Sequence, residues 1–160
     1  QFAHSQGRQH GMTYDGKGCL YIADKVNMAI RRVDLGKGEV TTIAGVQPGQ
    51  EKTRPRDGKG PDARFHPGGG PNMIFYNARL DCFIARSDDE ASIRIITRGP
   101  DGWWVKTFGP APGLPKNPPL TGPWRAVAGG VPCGIDAAGN VYVMGSNCIR
   151  VVRNVKGGAQ

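Results

Sequence analysis

The three histidines, His4, His10 and His66, show neither i,i+4 spacing nor an H-x-H pattern, so they do not outline a metal site. Cys19, Cys82, Cys133 and Cys148 lack the CxxC spacing of zinc or redox sites. They are expected as four buried small hydrophobes, too far apart for disulfides. Asp57-Gly58-Lys59-Gly60-Pro61-Asp62 has no closing Glu and lacks the alternating oxygen ligands of an EF-hand, so it reads as a turn. Asp88-Asp89-Glu90 reads as a solvated acidic turn, with calcium or a basic partner as the sharper alternative. No G-x-S-x-G occurs, and no cysteine has a histidine nearby. No catalytic residue, metal ligand or cofactor is therefore assigned. An active site assembled from distant loops would leave no such motif.

Basic residues offer more. The chain of 160 residues has 21 Lys+Arg against 13 Asp+Glu, a net charge of +8. Lys52, Arg54, Arg56, Lys59 and Arg64 cluster in one connection, and Arg31, Arg94 and Arg150 each follow an isoleucine. Such groups suit phosphates, acidic proteins or anionic glycans; the plainer reading is an ordinary basic surface. RNA readout also needs exposed aromatics to stack on bases. Trp103, Trp104 and Trp124 are the candidates, and strand alternation predicts Trp104 buried.

The elements that must position these residues are short strands. Gly11–Asp15, Cys19–Ala23, Ala29–Val33 and Val40–Ala44 are separated by turn clusters, beginning with Asp15-Gly16-Lys17-Gly18. Asp-Gly is a hairpin signal because glycine reaches positive φ without steric cost. Strands of this length and spacing predict an all-β sandwich, barrel or propeller, and no window has helical periodicity. A second set is expected at Met73–Tyr76, Asp81–Ala85, Ser92–Thr97 and Trp103–Phe108, with Asn77-Ala78-Arg79-Leu80 replacing the Asp-Gly turn. A third set, Pro132–Ile135, Asn140–Met144 and Cys148–Val152, has no evident fourth strand. The Ile-Arg pairs begin at 30, 93 and 149, spacings of 63 and 56 residues (93−30 and 149−93). Both exceed the ~40–45 residues of comparable propeller repeats, with the excess in the connections.

The run DG-x-G-x-LYIAD-x-x-N-x-x-IRRVD…G-x-VTTIAG, followed by DGKGPDARF at Asp57–Phe65, resembles the NHL repeat, closest to its plant and bacterial forms. The match covers Gly11–Phe65 most fully, Pro71–Thr97 and Val131–Arg153 less so, and Pro110–Pro123 not at all. The resemblance implies a β-propeller of about three four-stranded blades from a ring that usually has six. It places blade 1 at 11–45, blade 2 at 71–108 and an incomplete blade 3 with a tail at 131–160. Residues 46–70 and 109–130 are connections, and 1–10 is a tail or a closing strand. Phe65 would anchor the ARF element on the next blade. The motif histidines of the family's zinc-dependent amidating lyases have no counterpart here.

Blades bury apolar surface mainly against one another, so three alone would leave wet end faces costing several kcal/mol at roughly 25 cal/mol per Å². A longer chain or another chain is expected to complete the ring. The expected function is a non-catalytic protein-interaction or structural scaffold. Its anion-binding candidates are the basic residues above. Its docking loop is Pro110, Leu114, Pro115, Lys116, Leu120 and Trp124. The alternatives are a hydrolase or lyase whose catalytic residues lie in other blades, and an RNA-binding propeller. No apolar run is long enough to span a membrane. The compartment stays open, with an extracytoplasmic one favoured.

Overall fold

The computed structural model describes residues 11–46, 54–66, 70–87, 93–108, 121–122, 131–144 and 149–152. The protein is all-β, with no helix among the described residues. Sheet 1 is a meander of β1 (Met12–Tyr14), β2 (Cys19–Asp24), β3 (Ala29–Asp34) and β4 (Glu39–Gly45). Its strands match the expected runs to within about a residue because glycine- and aspartate-rich turns end each one. Asp15 shows why the first turn is tight. Its Oδ1 accepts the Lys17 and Cys19 backbone N–H groups at 2.7 and 3.0 Å, while Gly16 takes φ +74°. Gly45, at φ +92°, admits no Cβ because the Met28 carbonyl and Ala29 crowd it.

Sheet 2 comprises β5 (Gly58–Lys59), β6 (Pro71–Asn77), β7 (Cys82–Ser87), β8 (Ile93–Gly99) and β9 (Gly102–Phe108), in the order β5-β9-β8-β7-β6. The Asp57–Asp62 segment is thus not merely a turn. Gly58 and Lys59 pair with Val105 and Trp104 as an added edge strand, and the turn follows at Lys59–Ala63. Two residues suffice because Gly60 bonds to both neighbouring sheets, donating to the Trp103 carbonyl and accepting from Gly45.

Sheet 3 holds β10 (Thr121–Gly122), β11 (Val131–Ile135), β12 (Val141–Met144) and β13 (Ile149–Val152), ordered β10-β13-β12-β11. Its fourth strand comes from upstream: β10 runs parallel to β13 out of the 109–130 connection, which was expected as a linker.

The three sheets share one register. Cross-strand neighbours point to the same face, and one row in sheet 1 is Tyr14, Leu20, Val33 and Val40. Counting rungs from the Ile-Arg pairs, the corresponding row in sheet 2 is Tyr76, Phe83, Ile96 and Val105. In sheet 3 it is Ile135, Val141 and Val152. Arg31, Arg94 and Arg150 fall on one further common rung, opposite Ile22, Ala85 and Val143.

Sheets 1 and 2 meet through a mixed aliphatic and aromatic core. Phe83 packs on Tyr21 with ring centroids 4.0 Å apart, and Tyr76 and Trp103 lie 4.9 and 5.8 Å from Phe83. Ile30, Ala44, Phe65, Ile96 and Val105 belong to the same cluster. Trp103 joins it because it is in phase with Val105. Trp104, expected to be buried, points the other way and is 41% exposed. On the opposite side of sheet 2, Gly139 lies against Leu80 and Asn77, and Val141 and Val143 of sheet 3 are fully buried.

Cys19 and Cys82 are buried, as expected, but Cys133 is exposed. A register shift between Pro132 and Gly134 leaves Cys133 without a cross-strand partner, which releases it from the alternation. Cys148 lies outside the described residues.

Truncation should reveal the unequal loading of equivalent rungs. Phe83→Ala is expected to cost about 3–5 kcal/mol. Leu20→Ala, on the same rung of sheet 1 but half-exposed, should cost under about 1 kcal/mol. Urea denaturation of both variants measures the contrast; equal costs would contradict the assigned faces.

Candidate functional site

Arg94 and Arg31 are built into the fold. Arg94 is 1% exposed. Its guanidinium donates to the Arg64 carbonyl at 2.9 Å, the Arg56 carbonyl at 2.8 Å and Asp57 Oδ1 at 3.2 Å. The same group lies 5.2 Å from the centroid of the buried Phe65 ring. Asp57 also accepts from Thr107 through its backbone N–H and hydroxyl. The DGKGPDARF segment therefore wraps one arginine. A buried cation needs such a set of acceptors, because desolvation is costly without them.

Arg31 occupies the same rung of sheet 1 and uses local partners. Its Nε donates to Asp24 Oδ2 at 3.0 Å and its Nη1 to the Thr42 hydroxyl, while Asn27 also donates to Asp24. The Asp24…Asn27…Arg31 spacing thus has a structural meaning: one buried carboxylate fixes the β2–β3 turn and the arginine together. Arg150 stands on the equivalent rung of β13.

The other basic candidates divide. Arg64 is buried and donates to the Pro61 and Ala63 carbonyls, both at 2.8 Å. Arg56 donates to the Asp62 carbonyl at 2.6 Å, and Lys59 pairs with Asp101 at 2.7 Å near the Trp104 ring. Arg54 is exposed. The structure thus brings Arg56, Arg64 and Arg94 together around backbone carbonyls, leaves Arg31 in its own cluster and sets Lys59 on the outer edge. Lys52, the acidic turn Asp88–Glu90 and the docking-loop residues Pro110, Leu114, Pro115, Lys116, Leu120 and Trp124 lie outside the described residues. No group of three or more His, Cys, Asp or Glu suited to a metal occurs among the described residues. No helix among them is long and apolar enough to cross a membrane.

A polar cleft between sheets 1 and 2 was not anticipated from sequence. Asp15, Lys17, Tyr21, Tyr76, Asp81, Phe83, Arg98 and Trp103 line about 60 Å³. That is room for a few waters, well below the ~300–1,000 Å³ of small-molecule sites. Tyr76 donates to Asp81 Oδ1 at 2.6 Å, and Lys17 pairs with the same oxygen at 3.5 Å. The Tyr76 hydroxyl holds Asp81 below the ordinary carboxylate range, helped by Lys17, while burial pushes the Tyr76 phenol up. These groups staple the first turn of sheet 1 to that of sheet 2. The signal available in sequence was positional: Asp15, Asn77 and Asp136 each follow the same rung. Each side chain accepts backbone N–H groups of its hairpin.

The remaining candidate surface is the outward face of sheet 1. Met12 and Tyr14 are 61% and 50% exposed, and Val40 is 48% exposed. Leu20, Ile22 and Val33 beside them are half-buried. No protein-family model matches the chain, and no curated protein matches it.

Two outcomes follow from this geometry. Arg94→Met should destabilise by about 1.5–3 kcal/mol, because it removes the charge-assisted bonds to the Arg56 and Arg64 carbonyls and to Asp57. Arg94→Lys should recover only part of this, since an ammonium lacks the planar fork. A loss below about 1 kcal/mol in chemical denaturation would mean that the wrapped segment does not depend on the arginine.

Asp34, Asp81 and Asp136 are all held low. For Asp34 the first cause is the Lys37 backbone N–H, for Asp81 the Tyr76 hydroxyl, and for Asp136 the Asn140 side chain. A carboxyl depressed in the folded state stabilises fully above the unfolded value of about 3.9. That contribution disappears as pH falls through the folded value, so the denaturation midpoint should fall below about pH 5. Tyr76→Phe should move the Asp81 titration upward when followed by carboxyl carbon NMR. An unmoved titration would remove Tyr76 as the cause.

Proposed function

We propose that the chain forms part of an NHL-type β-propeller that serves as a non-catalytic interaction or structural scaffold within a larger chain or assembly. The observation that carries this is the outward face of sheet 1. Its row Tyr14, Leu20, Val33 and Val40 occupies the rungs at which sheet 2 carries Tyr76, Phe83, Ile96 and Val105. In sheet 2 that row belongs to the inter-sheet core, with Tyr76 at its edge. A surface of the same composition left open in sheet 1 has the character of an interaction face, since scattered single apolar residues need no partner but contiguous ones do.

The ordered sharing of rungs, the wrapped Arg94 and the packing of each sheet on the next in sequence order support the propeller reading. The consumption of Arg31, Arg56, Arg64 and Arg94 in internal bonds favours the scaffold over RNA binding, which needs cations facing a groove. The small volume of the polar cleft favours it over catalysis there.

A photo-crosslinking residue in place of Val40 tests the reading. Irradiation should give protein adducts from position 40. It should give none from Leu35, which is equally exposed on the β3–β4 hairpin but off the face. Equal labelling at both positions, or none at 40, would defeat the proposal. So would turnover of a small substrate by the chain.

A further inference from the structure

We infer that the outward faces of sheets 1 and 3 fit each other head to tail, so that the partner covering them is a second copy of this chain. The inference rests on the stacked-sheet reading above and adds the identity of the occupant.

The internal contact between sheets 1 and 2 supplies the template. Sheet 1 offers the Tyr21 side, with Ala23 and Ile30 beside it, and sheet 2 receives it with Phe83, Ile96 and Val105. Rung for rung, the side of sheet 3 turned away from sheet 2 carries Tyr142 where sheet 1 has Tyr21. Met144 and Ile149 stand at the rungs of Ala23 and Ile30, and they are 52% and 61% exposed. Val151 completes that row. The receiving surface, with Tyr14, Leu20, Val33 and Val40, is the outward face of sheet 1. Most of the large exposed apolar side chains among the described residues, Met12, Tyr14, Val40, Met144 and Ile149, lie on these two faces. Leu35 and Trp104 do not.

Giver and receiver are different surfaces at opposite ends of one stack, so the contact is heterologous rather than face to like face. Both halves of the complementary pair reside on one chain, which is why a second copy fits without any further partner. Two copies contacting twice would make a closed ring of six sheets.

Sedimentation velocity across a concentration series tests this. The wild-type chain should form a dimer of twice its 17.1 kDa mass. Tyr14→Glu on the receiving face and Met144→Glu on the giving face should each weaken the dimer more than about tenfold. Mixing the two variants should restore association, because one intact giver then meets one intact receiver. Val40→Glu and Ile149→Glu provide an independent pair, with far-ultraviolet circular dichroism confirming that each variant is folded. A wild-type chain monomeric at every concentration overturns the inference. A dimer lost in Tyr14→Glu but intact in Met144→Glu also overturns it, as does a mixture that fails to associate. Should the crosslinker at position 40 capture a different protein while the chain stays monomeric, the scaffold reading stands and the self-association does not.

Discussion

The stack depends on one contact: the Tyr21 ring of sheet 1 against the Phe83 ring of sheet 2, 4.0 Å between centroids. A four-stranded sheet that is apolar on both faces cannot hide either face alone, and short meanders have little stability of their own in water. Packing one sheet on the next answers half of that problem each time. Aromatic pairs contribute about 0.5–1.5 kcal/mol beyond the area they bury. Tyr76 and Trp103 close around Phe83 to make the contact a cluster rather than a pair. Sheet 2, lying between two neighbours, has Cys82, Phe83, Ile84 and Ala85 all buried in succession, whereas sheet 1 alternates buried and half-exposed positions along β2. Continuous burial is the signature of a strand covered on both sides.

The connection between sheets 1 and 2 is as much a part of the architecture as the strands. It sends β5 to the edge of sheet 2, bonds Gly60 to both sheets, buries Phe65 and closes three acceptors on Arg94. Satisfying backbone carbonyls with a side-chain cation frees this segment from needing a regular ladder. The short strand β5 and the single bridge between Arg56 and Arg64 are enough. A loop that would otherwise tolerate change is thereby made specific.

The strands of sheet 1 were legible because glycine and aspartate punctuate them, and the Ile-Arg landmarks located the common register in all three sheets. Phe65 was legible as an apolar anchor. What escaped reading depended on partners distant in sequence. Trp104 and Trp103 are adjacent, and only the phase of Val105 decides which one packs. Cys133 is freed by a bulge that its neighbours Pro132 and Gly134 permit but do not dictate. The two-residue strands β5 and β10 are too short to carry any alternation, and their pairing is decided by the edges of β9 and β13. The Asp81–Tyr76–Lys17 staple joins three turns and strands that no local window contains.

The same reasoning explains why three sheets so alike in register are so unlike in sequence. Each rung needs only a side chain of the right polarity on the right face. Leu20, Phe83 and Val141 therefore share a position across three sheets while differing widely in volume. Asp15, Asn77 and Asp136 are interchangeable at the hairpin because any side-chain carbonyl oxygen at that place can accept the following N–H groups. Volume then has to be matched between neighbouring sheets rather than within one sheet. Phe83 meets Tyr21, and the smaller Val141 and Val143 serve the next sheet, where Gly139 lets Leu80 and Asn77 approach. Each sheet is thus fitted to the neighbour that covers it.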